Sequence, residues 1–190
     1  ATDDLAKLTT DQIGGFTSSQ VAALTNEQVV ALTTDQISKL STTQIASLTT
    51  AQVAAIATDD IAKLTTDQIK ALSYAHMASL TSTQIAHLST DQVAAITTVS
   101  IKGLSTSAIV ALTTEQIEKL GTDQVAALST TQVKAIATDD LVKLTTDQIH
   151  VLSSAQVAAM TTDQVSHLTT DQVMALTTGA MVGLTTDAIV

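Results

Sequence analysis

Aliphatic residues recur along the chain at alternating spacings of three and five residues, and the alternation never loses register. When the sequence is divided into octads, with octad 1 starting at Ala1, 23 complete octads end at Leu184 and six residues of another follow. Position 5 is Val, Ile, Leu or Met in every octad, and position 8 is Leu, Ile, Met or Phe in every complete octad. The pattern indicates one structural unit per eight residues.

The polar positions of the octad predict a helix that starts anew in each unit. Position 1 is Thr or Ser in 20 of 24 octads, and position 4 is Gln in 16. This spacing is that of a capping box, in which the hydroxyl accepts a hydrogen bond from the amide three residues on and Gln reaches back. Positions 8 and 5 then have the spacing of a hydrophobic staple. We therefore expect one helix of about six residues in each octad.

Two other backbone arrangements, one continuous helix and a β-solenoid, are alternatives to short helices as explanations of the octad pattern. In one continuous helix, eight residues at about 100° each overshoot two turns by roughly 80°, so the apolar stripe would spiral around the helix. A β-solenoid remains the alternative, because Val, Ile and Thr favour strands. It is less favoured, since positions 5 and 8 would point to opposite faces, and the chain has no Pro and only six Gly for corners.

The fold expected from this pattern is all-α: a single tightly wound α-solenoid over residues 1–190, with positions 5 and 8 forming the core. Helices this short are unstable alone and must stack on one another. The pattern fixes neither the number of octads per coil nor the handedness. Residues 57–69 nearly recur at 137–149, ten octads later, which indicates a duplicated block. The chain starts without Met and stops inside an octad, so we expect a segment of a longer protein.

Composition narrows the classes of function. The net charge of -10 disfavours nucleic acid as a partner, and the chain has no Cys for disulfides or thiolate metal sites. No apolar run is long enough for a membrane span. The usual nucleophile, phosphate-loop and dinucleotide motifs are missing. We therefore predict no enzyme, no catalytic residues, no cofactor-binding residues and no metal ligands.

Two groups of residues were considered as metal ligands. His76, His87, His150 and His167 fall in four different octads, and scattered solvated histidines are favoured over a metal cluster. The units that start at Ala1, Ala57 and Ala137 read Ala-Thr-Asp-Asp and lack the capping hydroxyl. We expect their paired carboxylates to compensate the helix dipole, with calcium binding as the minor alternative.

Two resemblances bear on function. Residues 168–176, LTTDQVMAL, resemble the opening of TAL-effector repeats, but the chain lacks their second helix and base-reading loop, so DNA binding does not carry over. Over its whole length the chain resembles the Thr-Thr-Asp-Gln-Val-Ala-Ala-Leu octapeptide arrays of large bacterial secreted or surface proteins. That resemblance implies an extracellular or surface-associated location, with the cytoplasm as the alternative, and it supplies no functional residues.

These observations favour a structural scaffold or spacer. The alternative is a binding module, which would use either the ridges of positions 3, 6 and 7 for proteins or the Thr ladder of position 2 for an ordered surface such as ice. The partners implied are proteins of unknown kind and further copies joined end to end.

Overall fold

Short helices follow one another along the chain, one in each octad, in a computed structural model that describes residues 2–184. Those residues form 22 α-helices and one 3-10 helix and contain no strand. The expectation of an all-α solenoid is confirmed, and the β-solenoid alternative is wrong. The helices span four to six residues, so the expected length of about six is the upper end of the range. The last, partial octad lies outside the described residues.

The helices are α1 (Thr2–Leu5), α2 (Thr10–Gly14), α3 (Ser18–Ala22), α4 (Asn26–Val30), α5 (Thr34–Ser38), α6 (Thr42–Ser47), α7 (Thr50–Ala55), α8 (Thr58–Ile61), α9 (Thr66–Ala71), α10 (Tyr74–Ser79), α11 (Ser82–Ala86), α12 (Thr90–Ala95), the 3-10 helix Ile101–Gly103, α13 (Thr106–Ala111), α14 (Thr114–Glu118), α15 (Thr122–Ala127), α16 (Thr130–Ala135), α17 (Thr138–Leu141), α18 (Thr146–His150), α19 (Ser154–Ala158), α20 (Thr162–Ser166), α21 (Thr170–Ala175) and α22 (Thr178–Met181).

Most helices begin after a hydroxyl cap and end at position 6 or 7 of the octad, one or two residues before the aliphatic residue at position 8. In α5 the N-cap Thr33 is extended (φ -75, ψ 158), and its hydroxyl accepts from the Gln36 amide at 3.3 Å. The Thr33 N–H donates to Gln36 Oε1 at 2.8 Å, which completes the reciprocal pair. No described residue has a positive φ, so the helices end without the left-handed glycine that commonly terminates a helix.

Successive octads wind into a coil of about three and a half octads. The backbones of helices three octads apart pack closely against each other, as α3 packs on α6 and α7 on α10. Side chains of position 4 reach backbone atoms 28 to 31 residues earlier, in the octad four units before. Because the contacts alternate between three and four octads, octads separated by seven units lie above one another, two coils apart.

Positions 5 and 8 form one continuous aliphatic core along the axis, as the sequence predicts. Position 5 is the more deeply buried, and Val21, Ile45 and Val93 have no exposed surface. Alanines at position 7 pack against this core and are partly buried. In the last described coil position 5 is less buried, and Val173 is 38% exposed and Met181 45%.

Candidate functional site

The position-4 glutamine side chain lies between coils and is the most highly connected polar group of the octad. Gln68 is 2% exposed, and its Oε1 accepts from the Thr65 N–H at 2.7 Å. Its Nε2 donates to the carbonyls of Ile37 at 3.1 Å, Ser38 at 3.2 Å and Leu40 at 2.7 Å. One amide therefore caps its own helix and holds the preceding coil.

The same arrangement repeats along the molecule, and we call its members the glutamine ladder. Each member accepts from its own N-cap N–H and donates to two or three carbonyls of the coil before: Gln36, Gln44, Gln52, Gln68, Gln84, Gln92, Gln116, Gln124, Gln132, Gln148, Gln156, Gln164 and Gln172. All are buried, and no buried side-chain polar atom of residues 2–184 lacks a partner. Since a buried polar group costs free energy unless it is hydrogen-bonded, the ladder is fully satisfied.

Sequence reasoning assigned Gln only its capping role and missed the link between coils. The available signal was the residue type. Position 4 is Gln in 16 octads and never Glu, although Glu serves a capping box as well as Gln does. This preference for Gln over Glu favours a use for the N–H donors of the amide, while Asp at position 4 of three octads shows that a carboxylate is also accommodated.

His76 replaces Gln in octad 10 and makes the same two kinds of contact. Its Nδ1 accepts from the Ser73 N–H at 3.2 Å, and its Nε2 lies 2.8 Å from the Leu48 carbonyl. Because a carbonyl only accepts, these partners require the neutral ring with its proton on Nε2. The expectation that this histidine is solvated is wrong, since it is 6% exposed.

The other three histidines lie on the outside, as expected for solvated side chains. His87 and His167 each bind a carbonyl of their own helix, and His150 lies 3.0 Å from the Ala175 carbonyl. In the part of the chain that the structure describes, no three His, Asp or Glu side chains come close enough together to hold a metal ion.

The two Asp-Asp units inside the described range use a carboxylate where other octads use the amide. Ala57 and Ala137 supply no side-chain cap, and the helices that follow have only four residues. The second carboxylate of each unit accepts from a position-2 hydroxyl three octads earlier: Asp60 from Thr34 at 2.5 Å, and Asp140 from Thr114 at 2.6 Å. The first such unit begins at Ala1, outside the described residues.

At two joints the backbones of neighbouring coils approach each other closely at a glycine. In octad 13, Ser100 replaces Gln and its hydroxyl donates to the Leu72 carbonyl at 2.7 Å. A Cβ on Gly103 would lie 2.2 Å from the Tyr74 carbonyl oxygen, and one on Gly183 would lie 2.1 Å from a backbone oxygen in octad 20. The shorter side chain at position 4 and the missing Cβ together let the coils approach at these joints.

One carboxylate of the octad array has a shifted pKa. The Glu27 carboxylate, in the first turn of α4, accepts from its own backbone N–H and from the Thr25 side chain, and these hydrogen bonds lower its pKa below the ordinary value of 4.5. This group is fully exposed and fits a helix-capping role rather than a catalytic one.

Seven overlapping segments of the chain match the model of the ALTTAQ repeat family: residues 1–34, 33–66, 53–90, 61–98, 93–130, 111–138 and 133–170. The chain belongs to the ALTTAQ repeat family. Read from position 7 of one octad to position 4 of the next, the family's letters fit the geometry above: small, aliphatic, hydroxyl cap, hydroxyl, variable, amide. No curated protein sequence matches the chain. No helix among residues 2–184 has the length and apolar character to cross a membrane.

Proposed function

We propose that this ALTTAQ repeat segment, residues 1–190, is a single structural solenoid that acts as a spacer, with no catalytic site. The observation that carries the proposal is the fixed offset of its contacts. Helices pack on helices three octads away, and each ladder glutamine reaches four octads back. Nothing in such an array depends on its total length.

This contact pattern suits a protein that acts by holding other modules a set distance apart. In a linear array each unit contacts only near neighbours, so stability is approximately a sum of unit and interface terms. The nearly repeated ten-octad block is consistent with growth by insertion of whole units. A catalytic cleft, in contrast, requires residues from different parts of the chain to converge.

Small-angle scattering on the whole chain tests the spacer proposal. We expect a rod-like particle whose maximum dimension increases in proportion when ten octads are added inside the array. The matched control is a chain with five residues inserted at the same joint, which breaks the octad register and should lower the helix content. A compact sphere, or a maximum dimension that does not change with added octads, would contradict the proposal.

The two ends of the described solenoid carry complementary groups, and we include end-to-end association in the proposal. In the first coil, Gln12, Gln20 and Gln28 cap their own helices, and their Nε2 atoms reach no carbonyl of residues 2–184. In the last described coil, the carbonyls of Val173 and Leu176 receive no glutamine donor from that same range. Joining such ends repeats the chemistry of every internal joint, whether the added octads belong to the same chain or to a second copy.

We further propose a bacterial extracellular or cell-surface setting and protein partners rather than nucleic acid. The supporting observations are the resemblance to secreted octapeptide arrays and the net charge of -10, which repels phosphate backbones. Fractionation of the source cells with an antibody against the array tests the location. Recovery of the protein only from the cytosol would refute it.

The alternative proposal is a binding module that uses the position-2 hydroxyls. Thr66, Thr122 and Thr146 are exposed and lie on the same side of the solenoid, which favours a regular hydroxyl surface. Other position-2 hydroxyls are engaged in bonds between coils, such as Thr138 with Asp163 at 2.7 Å, which favours the structural role. A thermal hysteresis assay separates the two, since a spacer shows no hysteresis.

A further inference from the structure

Carboxylates are distributed unevenly around the solenoid. Position 3, in the first turn of each helix, is acidic in most octads, but ten octads have no acidic residue at any position, among them octads 11 and 23. The other eight, octads 3, 6, 7, 10, 13, 14, 17 and 20, lie on one side of the coil. We call their position-3 surface the neutral face; its residues are Ser19, Thr43, Ala51, Ala75, Val99, Ser107, Thr131 and Ala155. All eight are exposed.

The eight octads form one continuous strip. Helix α3 packs on α6, α7 on α10, α10 on the 3-10 helix, α13 on α16, and α16 on α19. The ladder joins the same octads across the four-octad offset, as where Gln132 of octad 17 donates to the carbonyls of Ile101 and Leu104 in octad 13. The strip therefore runs along one side of the coil. It ends at octad 21, which carries Asp163 at position 3.

Duplication accounts for only part of the neutral face. Octads 3 and 13, 7 and 17, and 10 and 20 are equivalent in the two blocks, and all six lie on the face. Octads 6 and 14 do not follow from duplication, because their equivalents carry Asp123 and Glu27 at position 3. A carboxylate in the first turn also stabilises a helix, so its absence there needs another cause.

The middle of the neutral strip carries exposed apolar side chains. Tyr74 is 54% exposed, Val99 67% and Val110 61%. In the equivalent register elsewhere, a position-2 side chain contacts position 3 three octads later, as Ser82 Oγ donates to the Ser107 carbonyl at 3.1 Å. The same register places Tyr74 beside Val99.

We propose that the neutral face is the surface through which two copies of this chain associate side by side, each using the same face. A chain with a charge of -10 repels its copies in most orientations, and this is the approach in which no position-3 carboxylates oppose each other. Loss of charge together with an exposed aromatic residue is the composition of an interface core. An interface in which both partners use one patch is isologous, as in most homodimers.

The area of the face suffices for a stable dimer. All outward positions of the eight octads, about a third of the chain, expose roughly 3,000 Å² of the 8971 Å² surface, and a stable interface needs about 800 Å² of this per partner. The strip includes only two charged side chains, Lys102 and Lys134, both exposed. In the paired arrangement they can reach the carboxylates that flank the face of the other copy.

Sedimentation velocity on the whole chain, from micromolar to near-millimolar concentration, tests the proposal. The wild type is expected to form a closed dimer. The double variant Ala75→Asp and Val99→Asp places carboxylates where other octads already carry them, so the fold is retained, and the dimer should dissociate at least about tenfold more readily. The matched control, Thr83→Asp with Gly179→Asp, adds the same charge off the face and should dimerise like the wild type.

A third variant separates lateral pairing from end-to-end association. Gln12→Glu removes an amide donor from the first coil at octad 2, which is outside the neutral face, so the closed dimer should persist. A wild type that stays monomeric over the whole range would overturn the proposal. So would a dimer that the face variant and the control weaken equally, or open-ended growth that only Gln12→Glu suppresses.

Discussion

Replacing one ladder amide by a carboxylate separates the two roles of position 4. In Gln68→Glu the remaining Oε1 can still accept from the Thr65 N–H, so the cap is kept. The Nε2 donor is replaced by a second oxygen that faces the carbonyls of Ile37, Ser38 and Leu40, 2.7 to 3.2 Å from the original nitrogen. The variant therefore removes only the link between coils.

The expected loss of stability follows from burial. A buried polar group left without its partner costs about 1–3 kcal/mol, and a buried charge without a partner costs about 3–5 kcal/mol. Because Gln68 is 2% exposed, we expect the variant to lose about 3–5 kcal/mol at neutral pH. The carbonyl oxygens and burial raise the pKa of the introduced carboxyl in the folded state. The loss is therefore small below the ordinary glutamate range near pH ~4.3 and grows as pH rises through the raised pKa.

Hydrogen exchange at the amides of α5 and α9 measures this loss locally, since a repeat array need not unfold in one step. The control is Gln12→Glu, in which the same capping pair is present at 2.8 Å and no carbonyl of the described residues is within reach of the amide. It should change stability by less than about 0.5 kcal/mol. Equal losses in the two variants, or a loss in Gln68→Glu that does not depend on pH, would refute the inter-coil role.

Three further variants or measurements test other joints. Gly103→Ala should lower the melting temperature strongly, because its Cβ would lie 2.2 Å from the Tyr74 carbonyl oxygen. The control Gly14→Ala, whose Cβ would have nothing within 4 Å, should be neutral or stabilising. Similar melting temperatures for the two variants would contradict the tight joint at Gly103. His76→Gln should keep or increase stability by up to about 1 kcal/mol, since the amide offers one more donor, and a loss in urea unfolding would argue against equivalence. The pKa of the Glu27 carboxyl, measured by NMR titration, should lie below 4.5. Its contribution to stability is then present above the pKa of the unfolded chain and is lost as pH falls through the lowered pKa of the folded state. A measured pKa at or above 4.5 would count against the Thr25 contact.

The elements that could be predicted are those whose causes lie within one octad. Thr33 and Gln36 are three residues apart, so their capping pair can be read from spacing alone, and the same holds for the aliphatic positions 5 and 8. The glycines show the limit of this reasoning. The sequence places Gly15 and Gly103 at the same position of their octads, yet only Gly103 of the two lies against another coil.

The contacts between coils could not be predicted, because the octad fixes the helix and the turn but not the angle between successive helices. That angle decides whether the coil closes after three, three and a half or four octads, and it depends on packing of side chains about 28 residues apart. His76 illustrates the consequence. As a residue of one octad it is an odd substitution for Gln, and only the Leu48 carbonyl, 28 residues earlier, explains it.

The non-integral number of octads per coil determines which residues of the sequence share one side of the solenoid. If a coil held a whole number of octads, each side of the solenoid would be built from every third or every fourth unit, and a duplicated block would reproduce its surface whenever its length was a multiple of that number. With about three and a half octads per coil, neighbouring coils are offset by half a unit, so each ladder amide sits over a joint between units of the previous coil. The offset lets the Gln68 amide reach the carbonyl of Ile37, which lies in α5, and the carbonyl of Leu40, which follows the end of that helix. A ten-octad block is half a unit short of three coils, so its duplication carries octads 3, 7 and 10 to octads 13, 17 and 20 on the same face, while octads 6 and 14 must be specified separately.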